Sequence, residues 1–394
     1  MRVSTLGFQT NASQQMQTLE SEISQTQQEL STSIALQNAS DNPAAMAQVN
    51  QLNVQISASQ QYQTNGSALN SNLTLEEQSL SDATSVMQSA RDLALEANNA
   101  ALTPSQRQDI STQLKQLLQQ LVSTANSTDA NGNYMFAGEA STTQPFAQSG
   151  TSVTYNGSSS VSQVQISSNQ RVSSSDAGAN VFMNIPAGNG TFVTAVGAAN
   201  TGSATISPGT VTDASQWVPD TYTITFSDPT DYTVTDSAGA VTNGTFTSPG
   251  TIAFNGISTT VTGTPAAGDT FTVAPAGTSS AFNTLSSLIT TLSNPNLSSA
   301  QISTQVGTAV EQIDAAVNNF GEIGASVGAR INAITAANAT AQSQQTTMTA
   351  SVTTLRDVDY AQATTQLSTE ELALQAAQES YASISKLSLF NFLQ

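Results

Sequence analysis

Cysteine and histidine are both absent from the 394 residues. With them go disulfides, thiolate nucleophiles, imidazole bases and the usual zinc ligands. Charge is scarce as well: 9% of the residues are charged, with 8 Lys+Arg against 27 Asp+Glu and a net charge of −19. That excess of negative charge argues against nucleic acid or an anionic membrane surface as a partner. No segment reaches the ~18 continuous apolar residues of a membrane span, so no membrane insertion is expected. The opening MRVSTLGFQTN lacks the apolar core of a cleavable signal. The expectation is a cytoplasmic protein or one exported by a signal-independent route. A cysteine-free, lysine-poor surface rich in Ser, Thr and Asn leans toward the outside of the cell.

The parts of an enzyme are missing too. There is no Gly-x-Ser-x-Gly elbow and no Gly-rich phosphate loop. Lys115 and Lys386, the only lysines, read as solvated or partner-facing charges. Glu76-Glu77 and Glu370-Glu371 are adjacent pairs, which point to different sides of a helix and make poor general acid/base pairs. Asp129-x-Asn131-x-Asn133 begins like an EF-hand loop but lacks its sixth-position Gly and terminal Glu, so it reads as a turn. No catalytic residue, cofactor or metal site is expected.

What the chain does have is a heptad. Val306, Ile313, Phe320, Val327, Ile334, Ala341, Met348 and Leu355 recur every seventh residue. A second stripe follows three or four positions later, through Ala309/Val310, Ala316/Val317, Ile323, Ile331, Ala337 and Val352. No proline interrupts, and the pattern predicts one long coiled-coil-like helix from Ser298 to Leu355, roughly 85 Å at 1.5 Å per residue. Such a helix needs partners along most of its length.

The remainder supplies them. Residues 1–36 carry Met16, Leu19, Ile23, Leu30 and Ile34 at helical spacing. Ser40-Asp41-Asn42-Pro43 predicts a break, with Pro43 in the first turn of the next helix and Asn42 or Asp41 as cap. That helix reaches about Gln63, Asn65-Gly66 bends or weakens it, and its stripe resumes at Leu69 and fades near Asn98-Asn99. Thr103-Pro104-Ser105-Gln106 is a capping box opening a helix with Ile110, Leu114, Leu117, Leu121 and Ala125 on one face. Tyr134–Phe136, Val153–Tyr155 and Val161–Ile166 then read as hairpin pieces. From about Pro186 to Gly277 leucine vanishes and period-two segments appear: Tyr222–Phe226, Tyr232–Val234, Thr251–Phe254, Ser258–Val261 and Phe271–Val273. Asp228-Pro229, Asn243-Gly244, Asn255-Gly256 and Gly268-Asp269 separate them. This predicts a small antiparallel, sandwich-like or barrel-like β domain inserted into a helical chain. Helix returns at Phe282, Asn294-Pro295 stops it, and Ser298–Gln301 is a second capping box. Beyond Leu355 the phase jumps at Arg356–Tyr360 and restarts through Tyr360, Leu367, Leu374 and Tyr381, with Ala377 and Ile384 between. The chain ends in an apolar tail with Leu389, Phe390, Phe392 and Leu393.

The predicted fold is α+β: a long helical bundle from both chain ends, short β-hairpins and an inserted β domain. Residues 1–40 with 358–394 form a terminal helical domain, 41–185 with 278–357 the bundle with hairpins, and 186–277 the insertion. The two ends are weakly charged amphipathic helices whose stripes cover only one another. An apolar face rimmed by neutral polar groups marks an assembly surface, here Met16, Leu19, Ile23, Leu30, Tyr360, Leu367, Leu374, Tyr381, Ile384, Leu389, Phe390 and Phe392. A monomeric bundle whose tail folds back over itself is the competing structure.

Specific residues sharpen this. MRVST; Leu30-Ser31-Thr32 leading to Ser40–Ala45; Ala125–Asp129 leading to Gly132–Gly138; Val327–Arg330; Asp357–Tyr360; Ala373–Ala376; and Ser388-Leu389-Phe390 resemble the bacterial flagellins and their relatives. The match is greatest to the hook–filament junction branch, the hook-associated protein 3 family. The resemblance covers about 1–185 and 278–394, and the insertion carries little of it. One departure stands out: family members usually have a Gly and basic residues after Leu-Ser-Thr, where this chain has Ser33-Ile34-Ala35-Leu36. The resemblance implies an elongated flagellin-like structural subunit, secreted through the flagellar type III apparatus to the extracellular flagellum. It implies neighbouring copies, another hook-associated protein and flagellin as partners, and an export chaperone holding about Tyr360–Gln394. Filament flagellin itself is the alternative, and a coiled-coil adhesin or phage fibre a more distant one.

Overall fold

A computed structural model describes residues 5–386, so the motif residues before Thr5, and Leu389, Phe390 and Phe392, lie outside the described part. Six long helices carry most of it: α1 (Thr5–Thr32), α2 (Pro43–Ala97), α3 (Pro104–Ala125), α4 (Ala281–Ser293), α5 (Ser299–Arg356) and α6 (Tyr360–Lys386).

Their starts follow local chemistry. Asn42 Oδ1 accepts the Ala45 N–H at 3.0 Å, with Pro43 in the first turn of α2. At α3 the Gln106 N–H donates to Thr103 Oγ1 (3.3 Å) and the Thr103 N–H to Gln106 Oε1 (2.9 Å). Ser298 and Gln301 repeat the reciprocal box at α5, and Asp359 accepts from the Ala361 N–H to cap α6. Removing such a side-chain acceptor costs about 1 kcal/mol. Thr103→Ala is therefore expected to lower the unfolding free energy by that amount, read as a lower urea midpoint at an unchanged slope; an unmoved midpoint would mean the α3 start is held by its packing instead.

The described residues divide into two compact units, one running to Thr64 and again from Ala337, the other Asn65–Ala336. In the first, α1 and α6 lie side by side. The first break comes earlier than the proline predicts. Helix α1 ends at Thr32, and Ile34, expected on the helical stripe, forms an antiparallel bridge with Asp357. The Ala35 N–H donates to the Arg356 carbonyl (2.8 Å) and the Val358 N–H to the Ser33 carbonyl (3.1 Å). The two interruptions thus clasp each other. Ser33 has φ +64°, the left-handed region where glycine is unstrained, and its Oγ lies 2.5 Å from Tyr360 Oη. Beside the clasp, Leu36, Val49 and Val352 form a small core with Met46, Leu52, Ile56 and Leu355.

In the second unit the heptad is packed as its register demands: Val306, Ile313, Phe320, Val327 and Ile334 of α5 are buried, as are Leu69, Leu73, Leu80, Met87 and Ala94 of α2. Asn65-Gly66 does not end α2, which continues through it. On α3 the buried stripe runs Ile110, Leu114, Leu118, Leu121, so Leu118 takes the inward position expected of Leu117. Phe182, on a π-helical turn at Ala179–Met183, packs its ring 5.2–5.7 Å from those of Phe136, Phe146, Phe282 and Phe320, favourable spacing for aromatic pairs. Tyr134–Phe136 is not a hairpin strand. Tyr134 makes a single bridge with Thr128, and the segment turns to drop Phe136 into that cluster. Gly138 follows at φ +62°, where a Cβ would strike the Ser158 and Ser160 carbonyls. The other two expected pieces do lie in hairpins, Ser152–Tyr155 pairing with Phe146–Ser149 and Gln163–Ser167 with Gln170–Ser173.

The insertion has two antiparallel sheets. One has five strands in the order Val241–Thr245, Asp231–Thr235, Tyr222–Phe226, Thr270–Pro275, Phe192–Val196; the other is built on Gly250–Phe254, Ile257–Thr262 and Thr205–Ile206. Both face one core holding Phe192, Ile224, Phe226, Ile252, Val261 and Phe271, the sandwich alternative of the expected pair. Asn243-Gly244, expected as a turn, lies within an edge strand opposite Thr233 and Tyr232. A Cβ on Gly244 would collide with the Tyr232 ring, so the glycine makes room for an aromatic across the strand rather than reversing the chain.

Candidate functional site

The seam between α1 and α6 follows from two heptads. Met16, Leu19, Ile23 and Leu30 on α1, and Leu367, Leu374 and Tyr381 on α6, are all half-buried. Thr26 and Ala363 are buried within it, and Thr26 Oγ1 donates to Glu370 Oε2 at 3.0 Å. Thr26, Ala363, Glu370 and Ala377 escape a hydrophobic reading because they are polar or small. The seven-residue step from Ala363 through Glu370 to Ala377 is the signal that places them. Tyr360 is 53% exposed and sits at the start of α6, with its hydroxyl on Ser33 rather than in the seam. Ile384 lies within α6.

The stripes are half-buried, which leaves each with unfinished burial, and burial is worth about 25 cal/mol per Å². Off the seam, Leu372 of α6 is 67% exposed. A groove of about 650 Å³ runs along α1 past Asn11, Gln15, Thr18 and Leu19 to Ala377. Its lining is uncharged but for Glu22. The geometry offers a long, nearly neutral apolar-and-amide face, suited to laying helix against helix.

A second feature belongs to the Asn65–Ala336 unit. The Ser173–Asp176 strap is tied on both sides. Arg330 pairs with Asp176 and donates to the Ser173 (3.4 Å) and Ser175 (3.5 Å) carbonyls. Glu76 Oε1 on α2 accepts the Asp176 N–H at 2.9 Å. Glu76 is 1% exposed. Burial, then the nearby Asp176 charge, push its pKa up to about 8. Asp129 closes its own turn, accepting from the Asn131 (2.8 Å) and Asn133 (2.9 Å) N–H groups. Burial raises its pKa, and the hydrogen bonds from Asn133 and Asn131 outweigh that and hold it below the usual carboxylate value. Burial alone pushes Glu311 up to about 7.

The chain matches known proteins along most of its length. The bacterial flagellin N-terminal helical region matches residues 3–141 and the C-terminal helical region residues 310–393. Residues 196–275 match the D2-like domain of flagellar hook-associated protein 1, giving the insertion a likeness that its residues alone do not suggest. Flagellar hook-associated protein 3 of Salmonella typhimurium is 33% identical over 158 residues, 40% of this chain and 49% of that protein. The chain thus spans about half the length of the curated relatives it matches. The crystal structure of the flagellar junction protein FlgL from Legionella pneumophila is 31% identical with a TM-score of 0.71, covering 79% of this chain and 100% of that one. FlgL of Xanthomonas campestris is 30% identical with a TM-score of 0.70, covering 76% and 98%.

Proposed function

Because the chain belongs to the FlgL, or flagellar hook-associated protein 3, family within the flagellins, we propose that it is the structural subunit joining hook to filament in the bacterial flagellum. The observation that carries the reading is the α1–α6 seam, a stripe from each end of the chain half-covered by the other. Copies packed side by side, helix against helix, complete that burial. Met16, Leu19, Ile23, Leu30, Leu367, Leu374, Tyr381 and Ile384 form the contact, with Tyr360 at the clasp, and Leu389, Phe390 and Phe392 extend it. Residues 1–40 with 358–394 are the assembly domain, 41–185 with 278–357 the bundle that carries it, and 186–277 the inserted domain. Another hook-associated protein meets the layer on one side and flagellin on the other. The protein is exported to the extracellular flagellum, with a chaperone covering the C-terminal helix until assembly. Filament flagellin shares the fold; the family of the relatives named above favours the junction.

Immunogold labelling of intact cells tests this. A single narrow band where hook meets filament is expected. Label along the whole filament would make the protein a flagellin, and label away from the flagellum would return it to the adhesins. In isolation the protein should be monomeric, with fast amide exchange over about 1–40 and 358–394 against slow exchange in the Asn65–Ala336 unit, since a two-helix pair without cover is marginal in water. Strong protection of the ends in the monomer would show that they need no neighbour.

A further inference from the structure

Asn-Gly occurs six times in the chain. In such a pair the glycine has no Cβ to keep its backbone nitrogen away from the preceding side-chain amide, so that nitrogen can close a cyclic imide on it. The ring closes only where the Gly N–H is not held in a hydrogen bond and the Asn side chain is free to turn. All but one of the pairs fail a condition. Gly66 lies inside α2, and Asn65 Nδ2 donates to the Gln165 carbonyl at 3.1 Å. The Gly132 and Gly190 N–H groups donate to the Asp129 and Ala187 carbonyls, each at 3.0 Å. The Phe246 N–H donates to the Thr230 carbonyl, so antiparallel alternation turns the Gly244 N–H inward as well, onto its ladder partner Tyr232. Asn255 Nδ2 donates to Tyr222 Oη at 2.9 Å.

We propose that the remaining pair, Asn156-Gly157, is a self-modification site, where Asn156 deamidates through a cyclic imide while the protein stays folded. Asn156 is exposed. Among the described residues neither its side-chain amide nor the Gly157 N–H has a hydrogen-bond partner. The loop is pinned on both sides of the reacting atoms and not at them: the Asn156 N–H donates to the Pro145 carbonyl at 2.7 Å, and the Ser158 N–H to the Ala137 carbonyl at 2.9 Å. Packing also dictates the glycine. The Tyr155 hydroxyl lies 3.0 Å from the Phe136 carbonyl and 2.8 Å from the Ser158 carbonyl, and a Cβ on Gly157 would strike that tyrosine. The residue that lets Tyr155 close the loop is thus the one that leaves Asn156 reactive. Water is the only other reactant. The Gly157 nitrogen, its proton taken by hydroxide, attacks Asn156 Cγ, and the new C–N bond forms as ammonia leaves. Water then opens either carbonyl of the imide, giving aspartate or isoaspartate, the latter with its main chain running through the side-chain carbon. Either product puts a carboxylate where a neutral amide stood, so the loop records the age of the folded protein.

The full-length protein, held folded in mildly alkaline buffer and sampled over time by peptide mass spectrometry, provides the test. Asn156 should convert first and severalfold faster than the asparagine of any other Asn-Gly pair, with isoaspartate present beside aspartate. In urea, where every pair is released, that lead should vanish. Isoelectric focusing should show a growing acidic band in the unaltered protein, and Asn156→Ser should lose the earliest of it. Conversion led by another pair overturns the proposal, and so does an Asn156 that stays intact while the protein is folded. Aspartate without isoaspartate overturns it too, because direct hydrolysis and not ring closure would be at work. An equal lead in urea has the same force, since the choice of Asn156 would then come from its sequence neighbours and not from the fold. Should Asn156→Ser fold poorly, the folded-against-urea comparison on the unaltered protein decides alone.

Discussion

Cells whose only copy of this protein carries Leu367→Asp with Leu374→Asp are expected to be non-motile, although the purified variant should melt at nearly the same temperature as the parent. Both leucines lie half-buried in the α1–α6 seam, one heptad apart and straddling Glu370, whose carboxylate already takes the Thr26 hydroxyl. Two further carboxylates at spacings of three and four residues put like charges along one helix face, each pair unfavourable by a few tenths of a kcal/mol. Each also forfeits part of the roughly 1.5–3 kcal/mol that a fully buried leucine contributes. Completing the seam against a neighbour would bury those charges without partners, which costs far more. The Asn65–Ala336 unit contains neither residue and has its own aromatic and heptad core, so its transition should stand. Soft-agar motility and the melting curve read the two halves of the prediction, and normal swimming would remove the seam from the assembly contact.

Raising the pH alone is expected to cost the folded protein stability, and Glu76→Gln should cancel that loss. With a folded-state pKa of about 8 against 4.5 for the ordinary side chain, the folded chain keeps a proton that the unfolded chain has released anywhere between those values. Folding then takes up a proton, so stability falls as pH rises from about 4.5 to 8 and levels above that, at up to about 1.4 kcal/mol per pH unit. Glutamine keeps an acceptor for the Asp176 N–H and cannot ionise. Glu76→Gln should match the parent near pH 5 and exceed its stability by several kcal/mol at pH 8–9, a gap read by urea midpoints across the range. Glu311, also raised, slopes the same way in both proteins and drops out of the difference. The lowered Asp129, Asp213, Asp220 and Asp228 act in the opposite sense and only on the acid side, losing their contribution as pH falls through their folded values. A gap that does not open with pH would mean Glu76 titrates normally.

Periodicity made the helices legible. Val306 to Ala341 are buried at every seventh position because one helix face must stay covered along its whole length, and a capping box is a local device whose partners are three residues apart. The misses share a different cause. Ile34 has a helical neighbour spacing, but what ends α1 is a backbone bridge to Asp357, far along the chain and invisible locally. Asn243-Gly244 has turn chemistry, and only the Tyr232 ring across the sheet explains why it stays extended. Thr26 and Glu370 are polar residues in an apolar seam, legible only once the two ends are paired. Glu76 looked like half of a poor acid pair on a helix, and its burial comes from a strap a hundred residues downstream. In each case the deciding partner is remote in sequence.

That remoteness has a consequence for how the molecule comes into being. The hydrogen bond from Thr26 to Glu370 spans 344 residues, and the Ser33–Tyr360 contact 327. During synthesis α1 emerges long before α6, the helix it lies beside. Contacts of such separation form slowly, since loop closure precedes any gain from packing. Until α6 has been made, α1 is a sticky strip without the helix it packs against.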